Sequence, residues 1–396
     1  MLTRQGWLVT LGAVALLVVG RLFGIFELFV LGAACVALLV LAVTIVVRTR
    51  LRLEVGRQLS PRRVHAGTPA RVELSVRNVA DRRTPVLKLH DPVSGTQGAT
   101  VLLAPIDETA TVRSAYRLPT ERRGIVGVGP LSVIVTDPFG LASLRSDAAP
   151  RTDLTVLPRV DDVLPPPRAG GDEPLSGLRQ ATLSNTAGDD FAALRTYVVG
   201  DDMRRVHWPS SARHGELLVR QDEVHRQGRT TILLDTRAQT HAGESLEVAV
   251  SAVASIITAA WKRQDLLRLL TTDGWDSGFA IGQPHVEAIL EFLATVPATP
   301  AGTLRGLVEG VRRLAGATSV VAVVGGIQPP ELHALNGLRG RGGSVTVVQV
   351  DLARWSAGLP PAPAGGPEHV VVTADRPFKQ AWNEAISVKR VRGVLA

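Results

Sequence analysis

The chain opens on two apolar runs, passes into an alternation of polar and apolar residues, and ends in short apolar runs that take turns with helical periodicity. Trp7 to Val19 reaches span length when Gly6 and the Leu22 to Ile25 stretch are counted with it, and Phe26 to Val47 is a full span by itself, because about 20 apolar residues cross a bilayer. The break at Gly20-Arg21 predicts a transmembrane helical hairpin over residues 1–50. Arg4 precedes the first run and Arg48, Arg50, Arg52 and Arg57 follow the second. Basic flanks at both ends put both ends, and the soluble part with them, on the cytoplasmic side of a multi-pass inner or plasma membrane protein. A cleaved signal peptide is the rival reading, but no small-residue cleavage site follows Val19 and a second apolar run begins at once.

Residues 51–160 read at period two. Arg71 to Asn78 alternates so that Val72, Leu74 and Val76 share one strand face,. Val86 to Leu89, Val101 to Leu103, Thr111 to Tyr116 and Leu131 to Val135 add short strands separated by Gly, Pro and Asp turns. No helical stretch intervenes, so the segment predicts an antiparallel β-sandwich. His65 and His90 stand alone in it, as surface or edge residues rather than ligands. Residues 161–187 hold Pro165-Pro166-Pro167, Gly170-Gly171, Pro174 and Gly177 with little apolar periodicity, the composition of a linker,.

Beyond residue 228 strand and helix alternate. The predicted elements are a strand at Thr230 to Asp235, a helix at Ser245 to Arg263, a strand at Leu266 to Thr272, helices across Pro284 to Val296 and Thr303 to Leu314, a strand at Ser319 to Val324, a helix over Pro330 to Leu338, strands at Ser344 to Val350 and His369 to Val372, and a last helix from Arg376 to about Ile386. Buried apolar strands between helices mean a parallel sheet covered on both faces. Ligands of such sheets sit outside the carboxyl ends of the strands, where this chain supplies Asp235, Thr271, Thr272, Asp273 and Gly325. Trp261 and Trp382 fall on helices as core or interface anchors.

Composition changes this picture little. The formal charge of +8 rests on 44 basic residues, of which only Lys88, Lys262, Lys379 and Lys389 are lysine. No basic block is interleaved with aromatic stacking platforms, so a nucleic-acid surface is not predicted; attraction to anionic lipid is the better use of the charge. The single cysteine, Cys35, lies inside the second apolar run, which excludes disulfides and Cys-based zinc sites,.

The densest chemistry lies in residues 188–228. Asp189-Asp190 and Asp201-Asp202 alternate with Arg195, Arg204, Arg205, Arg213 and Arg220 around one Trp208-Pro209 step. Together with Leu194, Tyr197, Gly200, His207, Ala212 and Leu217, and with Arg123-Gly124, Asp137-Pro138-Phe139-Gly140 and Val156-Leu157-Pro158 upstream, this segment resembles the bacterial domain-of-unknown-function 58 family. Pro209 departs from the polar or basic residue usual there. The resemblance implies a membrane hairpin, a sandwich and, over residues 229–396, an α/β von Willebrand factor A-like (Rossmann-like) domain. It further implies a cytoplasmic, membrane-tethered protein encoded near MoxR-type AAA+ ATPases, with no established catalytic activity.

A working metal site in an A-like domain needs Asp-x-Ser-x-Ser after the first strand, because hydroxyls and carboxylates suit a hard Mg²⁺ ion. Here the run is Asp235-Thr236-Arg237-Ala238-Gln239. Thr303 is a candidate for the later threonine, but no acid follows Val324. The expectation is a degenerate site without metal or cofactor, in which Arg237 neutralises Asp235. Ser210, Ser211, His207 and His214 are neighbours, yet no Gly-x-Ser-x-Gly turn frames either serine, and they read as structural hydrogen bonding. No phosphate-binding Gly-x-x-x-x-Gly-Lys occurs, and Gly337 to Gly343 leads into a strand, so it reads as a turn. For Arg195, Tyr197, Gly200, Asp201, Asp202, Arg204, His207, Trp208 and Arg213 two compatible readings stand: a buried or half-buried network joining the sandwich to the A-like domain, with Trp208 packed between the charges, or a docking surface. The functional expectation is a non-enzymatic, membrane-anchored adaptor whose partners are the lipid bilayer and an AAA+ ATPase, in cell-envelope assembly. The alternatives are a hydrolase using the crevice at Asp235 and Asp273, and a binder of an anionic ligand.

Overall fold

The computed structural model describes residues 2–49, 51–168, 191–198, 201, 203–222, 228–312, 318–341, 343–355 and 368–395. Two compact units emerge, Met1–Val160 with Leu290–Val296, and Asp161–Ile289 with Pro297–Ala396.

The first unit begins with α1 (Arg4–Phe23) and α2 (Phe26–Arg48), joined at Gly24, whose φ of 66° is the left-handed conformation that ends helices without a Cβ penalty,. Both helices are long and apolar enough to cross a membrane, and each has only 17% of its apolar window buried. Leu8, Leu22, Phe23 and Phe26 point outward, a face that lipid solvates and water does not. Below the hairpin follow β1 (Leu53–Ser60), β2 (Arg63–His65), β3 (Ala70–Asn78), β4 (Leu87–Asp91), β5 (Ala99–Leu103), β6 (Thr111–Leu118), β7 (Gly124–Val128), β8 (Leu131–Thr136), β9 (Ser143–Ala149) and β10 (Thr152–Leu157). They form three sheets of order β1-β3-β6, β2-β10-β7 and β5-β4-β8-β9. Val72, Leu74 and Val76 do share a buried face, in one core with Leu87, Leu89, Leu131 and Leu154. The expectation of purely antiparallel pairing is corrected at one place. The three-residue β2 runs parallel to β10, with Val64 beside Val156. Parallel neighbours need a long crossover, and the intervening strands β3 to β9 supply it. His65 Nδ1 lies 2.7 Å from the Pro158 carbonyl and His90 Nδ1 3.2 Å from Thr100 Oγ1.

In the second unit, residues 161–168 of the stretch read as a linker run as an extended strap; its remainder, 169–187, lies outside the described residues. The strap is tied down along its length. Asp161 N donates to Ser255 Oγ at 2.9 Å and Leu164 N to Asn383 Oδ1 at 2.8 Å. Trp382 Nε1 donates to the Leu164 carbonyl at 2.7 Å, and Arg263 Nη1 to that of Pro166 at 2.6 Å. Such bonds are the reason a proline-rich chain without internal ladder partners stays in place.

Then come β11 (Phe191–Thr196), α3 (Trp208–His214), β12 (Leu218–Asp222), β13 (Arg229–Leu234), α4 (Ser245–Lys262), β14 (Leu266–Thr271), α5 (Gln283–Thr295), α6 (Leu304–Arg312), β15 (Ser319–Val324), α7 (Pro329–Asn336), β16 (Ser344–Val350), β17 (His369–Val372) and α8 (Phe378–Leu395). The last five strands make one parallel sheet of order β14-β13-β15-β16-β17. Counted within the sheet this is the doubly wound order 2-1-3-4-5, whose direction reverses between the first and third strands. The α4 helix also has the length and composition of a span, but 67% of its window is buried, so it is a core helix. α8 runs past the expected end at Ile386, because residues 387–392 hold no proline or glycine to stop a helix,.

Trp382 is fully buried and holds the strap through its indole N–H. Trp382→Ala is expected to lower stability by about 3–5 kcal/mol, and Trp382→Phe, which keeps most of the volume, by clearly less. Urea unfolding of the full-length chain in detergent checks the ranking.

Candidate functional site

The switch point of the sheet lies between β13 and β15, and the first strand delivers Asp235 there. Asp235 is fully buried, and a buried carboxylate needs partners for both oxygens. The short contacts are supplied by the five residues that follow. Oδ1 accepts from the Arg237 backbone N at 3.0 Å and from Arg237 Nε at 2.9 Å. Oδ2 accepts from Arg237 Nη2 at 2.8 Å and from Thr240 Oγ1 at 2.9 Å. The guanidinium thus grips the carboxylate in bidentate fashion, the geometry that arginine offers and lysine does not. Its remaining arm, Nη1, reaches Glu331 Oε1 at 2.7 Å. The hydrogen bond to Asp235 pushes the Arg237 pKa further above its ordinary value, so the cation is permanent.

Glu331 is the third residue of α7, and its other oxygen accepts from Gln328 N at 3.1 Å, closing a capping box,. One carboxylate therefore caps a helix and anchors the arginine. The loop folds back over the strand ends. The Thr240 carbonyl accepts from Gly326 N at 2.7 Å, and a Cβ on Gly325 would lie 1.9 Å from that carbonyl oxygen, so only glycine admits the approach,. His241 completes the plug, with Nε2 2.7 Å from the Asp235 carbonyl and Nδ1 3.1 Å from Ser245 Oγ. A carbonyl only accepts, so Nε2 carries the proton and Nδ1 accepts from the serine. Burial holds the His241 pKa below the ordinary 6.5.

The expected pairing of Arg237 with Asp235 is thus present in the structure. Gln239 is exposed and takes no part. Thr303 does not approach the carboxylate; its hydroxyl accepts from Gly306 N at 3.2 Å as the cap of α6. The threonines that meet Asp235 are Thr240 and Thr272, the latter at 3.5 Å. Asp273 serves its own turn, accepting from the Thr271 hydroxyl and from Trp275 N at 3.4 Å. Among the described residues no group of three or more His, Cys, Asp or Glu has the arrangement of a metal site. Sequence reasoning missed Glu331, whose capping box was legible but whose partner lies 94 residues away.

The other candidate region is the hairpin of β11 and β12 with α3 between them. Arg195 stands on β11 opposite Val219, and Tyr197 N donates to the Leu217 carbonyl at 2.7 Å. Gly200 and Asp202 lie outside the described residues. Asp201 Oδ2 accepts from Val198 N at 2.9 Å, turning the chain after β11. Val206 and Val219 are buried together as a small core. Ser211 is spent inside it, accepting from Leu218 N at 2.8 Å and donating to the His207 carbonyl at 3.1 Å. His207 Nδ1 meets Ser210 Oγ at 2.8 Å, a contact made by spacing along the start of α3,. Trp208 itself is not packed between charges. Trp208 is 59% exposed, and Arg204 and Arg213 face outward beside it in sequence. The reason is the position of Trp208 at the first residue of a two-turn helix, with Pro209 following, so that only the Ser211 side of the helix meets the hairpin,.

Residues 193–361 match the family described as "Protein of unknown function DUF58". Uncharacterized proteins of Mycobacterium bovis and Mycobacterium tuberculosis are 28% identical over 205 residues, which cover 49% of this chain and 59% of each relative. The chain therefore spans about three fifths of the length of the curated relatives it matches. Among solved structures, the CARDB domain of a Pyrococcus furiosus protein in complex with di-metal ions is 16% identical, covering 27% of this chain and 94% of that domain at a TM-score of 0.22. A Pseudomonas fluorescens alkylpurine DNA glycosylase covers 29% of this chain and 33% of its own at 10% identity and a TM-score of 0.20. Likeness at that level carries no functional argument.

Removing Arg237 leaves a buried, half-satisfied carboxylate. Arg237→Ala is expected to cost about 3–5 kcal/mol in urea unfolding, and Asp235→Ala with Arg237→Ala together markedly less than the two single costs added. A second expectation concerns pH. The folded state holds His241 neutral while the unfolded chain takes up a proton near 6.5, so stability is full above that value and falls as pH drops below it,. His369, also lowered by burial, acts in the same direction. The discriminating readout is therefore the difference in melting temperature between about pH 7 and pH 5.5, which should shrink in His241→Gln relative to the parent chain.

Proposed function

We propose that this chain, a DUF58 family member over residues 193–361, is a non-enzymatic adaptor anchored in the membrane by α1 and α2, which presents its second unit to a cytoplasmic protein partner. The observation that carries the reading is the outward face of the α3 module. Val198, Met203 and Trp208 are exposed apolar side chains within one short segment, 63%, 48% and 59% accessible, and Arg204 and Arg213 stand exposed among them. Tryptophan and arginine are the residue types that dominate interface energetics, and exposed apolar side chains rimmed by charge are characteristic of docking surfaces.

The hairpin supports anchoring through its two apolar helices and its basic flanks, which favour cytoplasmic soluble parts,. The parallel sheet opening on Asp235 supports a von Willebrand factor A-like domain. In it Arg237 and Gln239 stand where metal-binding hydroxyls would be, and Arg237 takes the carboxylate for itself. A partner of the MoxR-type AAA+ class, working in envelope assembly, fits such a domain held at the membrane. The hydrolase alternative through Asp235 and Asp273 draws no support from the crevice, since each carboxylate is spent on its own loop.

Trp208→Ala should leave the melting temperature of the full-length chain nearly unchanged, as exposed positions do. It should weaken binding of a purified MoxR-type ATPase at least tenfold, or about 1.4 kcal/mol, measured by calorimetry in mild detergent. A parent chain that enriches no ATPase from native membranes, or a Trp208→Ala variant that unfolds, would count against the proposal.

A further inference from the structure

We infer that the turn from Asp137 to Ala142 is a third membrane-contact element, in which Phe139 seats at the headgroup boundary of the bilayer beside the base of the hairpin. The inference rests on the reading of α1 and α2 as membrane spans.

The turn is bound to the hairpin from two sides. Thr3 N donates to the Leu141 carbonyl at 2.9 Å and Thr3 Oγ1 to that of Gly140 at 2.6 Å. A Cβ on Gly6 would lie 2.1 Å from the Leu141 oxygen, so α1 and the turn meet backbone to backbone. On the other side Leu141 and Ala142 are buried against Leu39, Ala42 and Val46 of α2. These three positions recur at helical spacing on one stripe of a helix that is apolar throughout,.

Depth follows from helix geometry. Arg4 and Arg48 are exposed at the basic end of the hairpin, where arginines sit at the level of lipid headgroups. At 1.5 Å per residue, Ala42 lies about 9 Å and Leu39 about 13.5 Å back along α2 from Arg48, toward the apolar middle of the helix,. A turn packed on Ala42 and Leu39 is therefore beside the apolar part of the helix and past its charged end. Amphipathic elements settle about 5–10 Å into that boundary.

The turn's own chemistry fits the location. Asp137 is hidden, its Oδ2 accepting from Phe139 N at 2.8 Å and its Oδ1 from Ala142 N at 2.5 Å, so the charge is spent on amides inside the turn. What faces outward is Pro138 and Phe139, the latter 49% exposed. Trp7, next to the Gly6 contact, is 59% exposed at the same end of the hairpin. Two exposed aromatics, each within two residues of the Gly6–Leu141 approach, are the composition of an interfacial belt,.

The test uses the full chain with Cys35→Ser, spin-labelled at Phe139→Cys and reconstituted in phosphatidylcholine–phosphatidylglycerol vesicles, with collision rates read for oxygen against a water-soluble nickel chelate. Val14→Cys on α1 and Arg305→Cys on α6 serve as lipid and water references; both positions are exposed. Pro138→Cys provides a second labelling position on the turn should the first variant fold poorly. The expected result is an oxygen-favoured ratio at the turn, between the two references and several-fold from that at Arg305. A turn label that matches Arg305 while Val14 reads as lipid overturns the inference and leaves the anchoring intact. A Val14 label that also matches Arg305 removes the membrane reading and the inference with it.

Discussion

The second unit is organised around the contact between the Asp235 carboxylate and the Arg237 guanidinium. A carboxylate at the end of a central strand, without solvent, is unfavourable by several kcal/mol unless it is paired and hydrogen-bonded on both oxygens. Arg237 provides the charge and three of the donor contacts, and Thr240 provides another. The loop can satisfy Asp235 only by folding back over the strand ends, which puts the Thr240 carbonyl against Gly325 and Gly326. Glu331 then ties the same guanidinium to the first turn of α7. The switch point, where doubly wound sheets ordinarily receive a ligand, is closed by the chain's own residues.

The other concentration of unusual residues is the hairpin of β11 and β12 with the helix between them. The same segment separates structural duty from exposed chemistry. Val206, Val219 and Ser211 hold the module together, while Trp208, Arg204 and Arg213 are left facing out. An exposed tryptophan contributes little to folding.

Much of this was legible along the chain. The strands Ser319–Val324, Ser344–Val350 and His369–Val372 begin and end as their apolar runs do, because buried parallel strands carry their signal in consecutive residues. The sandwich was read less completely. Leu53–Ser60 holds a glycine and alternates only between half-buried and exposed positions, and Arg63–His65 is too short to show a period. The parallel pairing of β2 with β10 depends on residues some 90 apart, which no local pattern encodes. At the candidate site, an acid at a strand end with an arginine two residues on was enough to foresee the pair. The direction in which Trp208 faces was not, because the density of charge around it in sequence says which residues are neighbours and not which side of a helix meets a partner.

The choice of arginine at 237 has a consequence for how the loop behaves. A buried carboxylate neutralised by a bound cation makes the loop's conformation a function of ion concentration, since binding stabilises only the ordered form. A guanidinium carried two residues along the chain is present at an effective concentration no free ion reaches, and it cannot lose its proton. The plug at the switch point is thereby set by the fold itself. The strand ends of the second unit are thereby held by a covalently carried cation, and their arrangement does not depend on the supply of a free ion,.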